Sequence, residues 1–266
     1  MIITNRFVLL NFPKTGTSFA RMAIKKIYGK EDLRFNNWIY KTGLFTPEIF
    51  ELMLPKLDEG LFSGIVDQHG KYRQIPDKFK KRPVLSIVRN PFSWYVSSYF
   101  FNWWKENLPV SLDTILPGFP NFPNLTFPEY IDFEYCYSRQ HHLHGIVPKV
   151  DIGLKSLYFN QFYSKDADAL ISNLDENYFM DELFREDFKH IHFIHHENLR
   201  SELKNFLVNH GFRGYEVGII DQLEEVNKST YPNDYKGFMK MYPDELIEKV
   251  LIRDRLLFSL FPEYLP

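Results

Sequence analysis

Two short segments of the chain carry residue types that bind phosphate. The first places a lysine, a glycine and three hydroxyl side chains in a row: Pro13, Lys14, Thr15, Gly16, Thr17 and Ser18. A lysine supplies charge, a glycine lets the backbone approach an oxyanion, and the N–H groups at a helix start bind phosphate. An ordinary helix cap would also use Thr or Ser, but it would not need Lys14. The segment therefore predicts a phosphate-binding loop.

The second segment begins at Arg89 and ends at Ser97. An arginine offers a forked donor to a phosphate, and Pro91 suits the first turn of a helix. Ser97 would then lie about two turns into that helix, where it could share one phosphate with Arg89. A helix start with Ser97 facing solvent fits the same residues. The two segments together predict a ligand with phosphate groups at two positions.

Residues 13–18 do not match the phosphate loop of nucleotide triphosphatases. That motif places its lysine after a second glycine, whereas here Lys14 precedes Gly16. A small-molecule kinase with a degenerate loop, in which Asp67 would hold magnesium, remains an alternative. A nucleotide-binding module without catalysis is the other alternative.

The two segments resemble the donor site of the sulfotransferases that use 3′-phosphoadenosine 5′-phosphosulfate (PAPS). Residues 12–18 are similar to the 5′-phosphosulfate loop of that family, and Arg89, Pro91 and Ser97 match its 3′-phosphate segment. The resemblance returns at residues 197–199 and in a later stretch, Asn227, Lys228 and Ser229, which it implies contacts the nucleotide.

The resemblance implies an enzyme that transfers a sulfuryl group from PAPS to a hydroxyl or amine of a small acceptor by in-line displacement. The product of the donor would be 3′,5′-ADP, and no metal would be required. Lys14 would be catalytic, because its charge stabilises the leaving phosphate. His69 would be the base that removes the acceptor proton, since the family has such a residue near this point. A surface histidine fits His69 too, and His141, His142 and His144 are alternative bases.

Buried strands would bring these residues to one edge of a sheet. Apolar runs predict strands at residues 7–12, 61–66, 84–88 and 191–194, and polar residues follow them. Helical spacing predicts helices at 19–27 before Gly29, at 199–208 before Gly211, and from Pro243. Ligands bind at the carboxyl ends of parallel strands. We expect a three-layer α/β sandwich with a mostly parallel central sheet, and the resemblance implies the architecture of P-loop kinases.

We expect residues 1–266 to form one domain with two additions. Residues 102–165 would be an aromatic-rich insertion on the acceptor side, and residues 213–242 a late loop on the nucleotide side. Acidic and aromatic residues dominate 106–138, which suggests a cationic or carbohydrate-like acceptor. A packing helix whose charges face water is the competing interpretation.

Composition narrows the set of partners. The chain has 266 residues and a net charge of −2, so charge predicts neither nucleic acid nor a membrane as a partner. Cys136 is the only cysteine, which excludes an intrachain disulfide and a zinc site of several thiolates. With no apolar stretch approaching ~20 residues, a cytoplasmic location is expected. The oligomeric state is left open.

Overall fold

The computed structural model describes residues 1–57, 64–143, 145–224, 226 and 234–266. Within these residues the chain forms two compact units. The sheet unit comprises the described parts of Met1–Lys56, Gly64–Arg89 and Lys189–Lys228. The helical unit comprises the described parts of Leu57–Ser63, Asn90–Phe188 and Ser229–Pro266. Whether the two units act as one domain stays a prediction.

All the strands of the described residues lie in the sheet unit. They are β1 Ile2–Thr4, β2 Val8–Leu9, β3 Ile49–Glu51, β4 Leu54–Pro55, β5 Val66–Asp67, β6 Val84–Val88 and β7 Ile191–His195. Within this described part, five strands form a sheet in the order β3-β1-β2-β6-β7. β2, β6 and β7 are parallel, and only β1 is antiparallel to its neighbours. The fold is therefore mixed α/β with a mostly parallel sheet.

Helices make up most of the rest of the described chain. In chain order the α-helices are α1 Thr17–Ile27, α2 Arg34–Thr42, α3 Pro91–Phe101, α4 Trp103–Glu106, α5 Leu112–Ile115, α6 Phe127–Phe133, α7 Arg139–Leu143, α8 Leu154–Tyr163, α9 Ala167–Asn173, α10 Glu176–Met180, α11 Leu183–Phe188, α12 Leu199–Asn209, α13 Gly214–Val217, α14 Ile219–Gln222, α15 Tyr235–Met239, α16 Asp244–Arg253 and α17 Arg255–Leu260. Short 3₁₀ segments occur at Tyr72–Gln74, Asp77–Phe79, His196–Asn198 and Pro262–Tyr264, and a π-helical turn at Glu134–Ser138. No helix of these described residues is long and apolar enough to cross a membrane.

One face of the sheet packs against α1 and α12 to α14. The apolar residues of α1 recur on one side of the helix, so Phe19, Ala23 and Ile24 are buried together. They join Leu85 of β6 and Ile194 of β7 in a single core. This core packs against β2 and β6, which are neighbours in the sheet. The segments that follow β2 and β6 are the two that the sequence predicts to bind phosphate.

The strongest apolar patterns are confirmed. β6 occupies the predicted residues, β7 starts at the predicted Ile191 and extends to His195, and α1 covers the predicted helix. Gly29 follows α1 with a φ of 63°, which is the left-handed conformation that glycine adopts easily after a helix.

Two expectations were wrong. The described part of 61–66 is not a buried central strand, because Ile65 and Val66 are exposed and β5 pairs only with β4. The described part of 213–242 is not loop, because it contains α13, α14 and α15. Helices of four or five residues contain too few turns to show a 3.6-residue period in the sequence.

The helical unit includes the region expected to be an insertion. Its core is rich in aromatic side chains, with Phe92, Phe133 and Phe159 fully buried. The hydroxyl of Tyr242 donates to the carbonyl of Phe92 at 2.7 Å, and the two rings meet edge to face. Residues far apart in the chain thus close this core.

Candidate functional site

The predicted phosphate loop connects β2 to α1 in the sheet unit. Lys14 and Gly16 both have left-handed backbone, with φ of 64° and 91°. The hydroxyls of Thr15 and Thr17 donate to the carbonyl of Phe12 at 2.9 and 3.1 Å, and Thr15 is fully buried. Both hydroxyls therefore brace the loop from inside. We expected these hydroxyls to face a phosphate, and they do not. The groups of these residues that remain to contact a phosphate are their backbone N–H groups.

The N-terminus of α1 has no side-chain cap. Gly16 is the N-cap residue and the first turn contains no acidic residue. The first N–H groups of a helix have no partner within the helix, and they carry its positive dipole end. In the helical unit, α3 shows the alternative, because the Asn90 side chain accepts hydrogen bonds from Phe92 and Ser93. Backbone N–H groups at a helix start are suited to bind an anion.

Arg89 joins the second predicted segment to the first. It directly follows β6, is buried, and donates from Nη1 to the carbonyl of Lys14 at 3.1 Å. Burial and the nearby Arg89 guanidinium together lower the pKa of Lys14 to about 8. Two positive charges held this close repel each other, and an anion that binds both would relieve the repulsion.

His196 belongs to the same group of residues, although it lies in neither of the two predicted phosphate-binding segments. A side chain at Gly16 would place its Cβ 2.9 Å from Cδ2 of His196, so the ring lies directly against the loop. Burial and the charge of Arg89 lower the pKa of His196 to about 4, so the ring is neutral at neutral pH. The signal that could have identified it is its position after β7, a parallel neighbour of β6.

His69, the predicted base, lies beside the start of the loop. Its Nδ1 is 2.6 Å from the carbonyl of Asn11, the residue before Phe12. Because a carbonyl only accepts, Nδ1 carries the proton and Nε2 keeps a lone pair. The backbone N–H of His69 donates to Asp67 at 2.7 Å, and burial lowers the pKa of the ring. Burial therefore favours the neutral form of the imidazole.

Lys14, His69, Arg89 and His196 thus share the sheet unit, but the other predicted residues do not join them. Pro13 and Ser18 lie half-buried at the ends of the loop. Ser97 is half-buried on α3 of the helical unit, and its sharing of a phosphate with Arg89 stays a prediction. Asn227, Lys228 and Ser229 lie outside the described residues.

Of the alternative bases, only His142 has a described side chain. It is buried in the helical unit, where its ring meets Tyr158 edge to face with centroids 4.6 Å apart. His144 and the side chain of His141 are outside the described part of the chain. In that part, no group of three or more His, Cys, Asp or Glu is arranged to hold a metal ion.

The acidic and aromatic stretch at 106–138 packs on itself. Phe133 is fully buried between Phe119 and Phe122, with ring centroids 5.8 and 5.4 Å away. Two of its carboxylates form ion pairs, Asp132 with Arg253 at 3.1 Å and Glu134 with Lys155 at 3.6 Å. These contacts support the packing interpretation over a pocket for a cationic acceptor.

Comparison with known proteins adds no relative. No protein-family model matches the chain, and no curated protein matches its sequence. The features that bear on function are therefore those of the site itself, chiefly the start of α1 and the two cations, Lys14 and Arg89, beside it.

Proposed function

We propose that the protein is a sulfotransferase that transfers a sulfuryl group from PAPS to a hydroxyl or amine of a small acceptor. The single observation that carries the proposal is the 3.1 Å bond from Arg89 to the carbonyl of Lys14. It brings the second phosphate segment to the first, beside a helix start without a cap. A donor with phosphates at both its 5′ and 3′ positions needs two such sites close together. The architecture that goes with this function is a three-layer sandwich like that of the P-loop kinases.

The residues present fit the donor. Gly16 adopts the left-handed φ of 91° that the tight loop requires, and Lys14 with the N–H groups of the loop would hold the 5′-phosphosulfate. Arg89 would bind the 3′-phosphate, together with Ser97 and the stretch from Asn227 to Ser229. The donor supplies an activated sulfuryl group whose leaving group is a phosphate.

The chemistry that follows is an in-line displacement. The acceptor oxygen or nitrogen forms a bond to sulfur while the bond from sulfur to the bridging phosphate oxygen breaks. The acceptor proton moves to Nε2 of His69, the nitrogen left unprotonated by the bond between Nδ1 and Asn11. Lys14 stabilises the negative charge that develops on the leaving oxygen.

The kinase alternative is less well supported. It needs Asp67 as a magnesium ligand. However, Oδ1 of Asp67 accepts a hydrogen bond from the backbone N–H of His69 at 2.7 Å, and Oδ2 lies 3.6 Å from Nζ of Lys56, so both oxygens already have partners. A binding module without catalysis would not need a neutral histidine with a fixed tautomer beside the loop, so His69 favours an enzyme.

Calorimetric titration tests the proposal with three ligands. We expect 3′,5′-ADP to bind more tightly than either 5′-AMP or ATP with magnesium. Loss of the 3′-phosphate removes charge-assisted hydrogen bonds and should weaken binding by about 10- to 100-fold. In Arg89→Ala the difference between 3′,5′-ADP and 5′-AMP should shrink, whereas in Arg73→Ala it should persist. Tighter binding of ATP with magnesium would overturn the proposal in favour of a kinase.

A further inference from the structure

A second surface of the sheet unit exposes large apolar side chains. Phe35 and Trp38 on α2 are 68% and 58% exposed, and their rings stack with centroids 6.0 Å apart. Leu44 and Phe45, just after the end of α2, are 76% and 59% exposed. Four large apolar side chains within one short segment form a patch of the kind that marks an interaction site.

The side of α2 that carries Asn36 and Asn37 is fixed to the sheet by hydrogen bonds. The Asn36 amide donates to the carbonyl of Ile49, and the Asn37 side chain accepts from the N–H of Glu51, both at 2.7 Å. Because both bonds go to β3, the helix is anchored with Phe35 and Trp38 directed outward. The exposure of the two rings is therefore a property of the fold.

Positive charge surrounds the apolar patch. Residues 21–45 contain six lysines and arginines against two carboxylates, although the whole chain has a net charge of −2. Lys26, Lys30 and Lys41 are exposed. Arg21 and Lys25 of α1 turn instead to Glu51, the residue that also holds Asn37. Glu51 thus places the charged face of α1 next to α2.

A cavity of about 330 Å³ lies along this face of α1. Four cations line it, Arg21, Lys25, Lys26 and Lys30, together with Ser18, Met22 and one carboxylate, Glu31. Even with Glu51 paired to Arg21 and Lys25, positive charge exceeds negative charge around the cavity. The cavity therefore suits a ligand with acceptor oxygens, such as a phosphate.

We propose that this surface docks the protein onto a membrane that contains anionic lipids. We define it, as the docking surface, by Lys26, Lys30, Phe35, Trp38, Lys41, Leu44 and Phe45. The rings and Leu44 would enter the boundary between headgroups and hydrocarbon, while the lysines and the cavity bind headgroup phosphates. The inference is independent of the proposed function. We predicted no membrane partner from the net charge of the whole chain. That average hides the strongly basic segment at residues 21–45.

Other occupants fit the same residues less well. A polyanionic glycan or nucleic acid would use the lysines but would leave Leu44 and Phe45 in water. A second copy of the chain would cover the apolar residues, but a symmetric interface would bring Lys26, Lys30 and Lys41 against cations of the partner copy. Of these three occupants, an anionic lipid surface is the one that satisfies both the charge and the apolar side chains.

Sedimentation of the protein with lipid vesicles tests the proposal. We expect binding to vesicles that contain phosphatidylserine and much weaker binding to phosphatidylcholine alone. Each lysine near the surface contributes about five-fold, so Lys26→Gln and Lys30→Gln together should weaken binding by roughly 25-fold. Trp38→Ser should weaken it by at least about ten-fold, because the ring no longer enters the interface. The matched control is Trp103→Ser, a 44% exposed tryptophan of the helical unit, which should bind like the original protein.

Three results would overturn the proposal. One is equal binding to both kinds of vesicle, and another is unchanged binding by Trp38→Ser. The third is that the protein does not bind vesicles but instead binds heparin, or forms a dimer that Trp38→Ser abolishes. Unchanged far-UV circular dichroism and melting temperature would show that each variant is folded, so a loss of binding could not come from unfolding.

Discussion

The two units treat buried charge in opposite ways. In the sheet unit, Lys14 and Arg89 carry like charges, and Arg89 lowers the pKa of Lys14. In the helical unit, Lys155 lies 3.6 Å from Glu134, and both side chains are buried. Opposite charges that neutralise each other need nothing from outside and serve the fold. Like charges held close together repel each other, and a bound anion would relieve the repulsion.

The helical cluster is satisfied by its own residues. Nζ of Lys155 donates to Oγ of Ser98 at 3.3 Å and lies 4.7 Å from the ring centroid of Tyr95. Asp254, fully buried, accepts from the hydroxyl of Tyr95 and the N–H of Ser156, both at 2.7 Å. Burial lowers the pKa of Lys155 and raises that of Asp254. Removing one member would therefore leave another without its partner.

The largest expected effect comes from breaking this cluster. Lys155→Met leaves the Glu134 carboxylate buried without a counter-charge, and we expect the free energy of unfolding to fall by about 3–5 kcal/mol. Urea denaturation measures the loss. The double variant Lys155→Met with Glu134→Leu should recover at least half of it, because no charge remains buried. A loss below about 1 kcal/mol in the single variant would mean that the cluster does not stabilise the fold.

The same replacement in the sheet unit should act on binding rather than stability. Lys14→Met removes one of two like charges, so the free energy of unfolding without ligand should stay the same or rise. Affinity for 3′,5′-ADP should fall by about 10- to 100-fold, because a charge-assisted contact is lost. Lys14→Arg, which keeps the charge, is the control in calorimetry. If Lys14→Met lowers the free energy of unfolding and leaves the affinity for 3′,5′-ADP unchanged, the contrast between the two units is wrong.

The smallest effect is a pH dependence. Burial and Arg89 lower the pKa of Lys14 from 10.5 to about 8 in the folded protein. The charged form binds an anion better, so affinity for 3′,5′-ADP should fall as pH rises above about 8, by at most about ten-fold per pH unit. Stability without ligand should change the other way, because the destabilising charge is lost from the folded state between pH 8 and 10.5. A pH profile for Lys14→Met as steep as the original would assign the titration to another group.

Sequence patterns predicted the elements whose burial is uniform along a run. β6 is apolar except for Ser86, whose hydroxyl donates to the carbonyl of Leu10 inside the sheet, so it is recognisable as a central strand. β1 and β3 have only three residues each, which is too short for any period to show. Ile65 and Val66 are apolar too, but both side chains face solvent. Val66 lies in β5, which pairs with β4 outside the five-stranded sheet, and the sequence does not show this pairing.

Two residues of the candidate site, Lys14 and Arg89, were predictable because each belongs to a motif that follows a predicted strand. His196 also follows a strand, β7, but belongs to no such motif. The hydroxyls of Thr15 and Thr17 could not be placed, since the sequence does not show which way they turn. The role of Asp132 depended on Arg253, far along the chain, and only a structure reveals such a partner.

The contact between Gly16 and His196 has a consequence for protein engineering. Because the ring of His196 fills the space in front of Gly16, the size of residue 196 sets how deep the loop is. His196→Ala would enlarge that space without altering any loop residue, and a bulkier aromatic side chain would reduce it. Position 196 is therefore the place at which to change the selectivity of the proposed donor site, while the loop backbone stays intact.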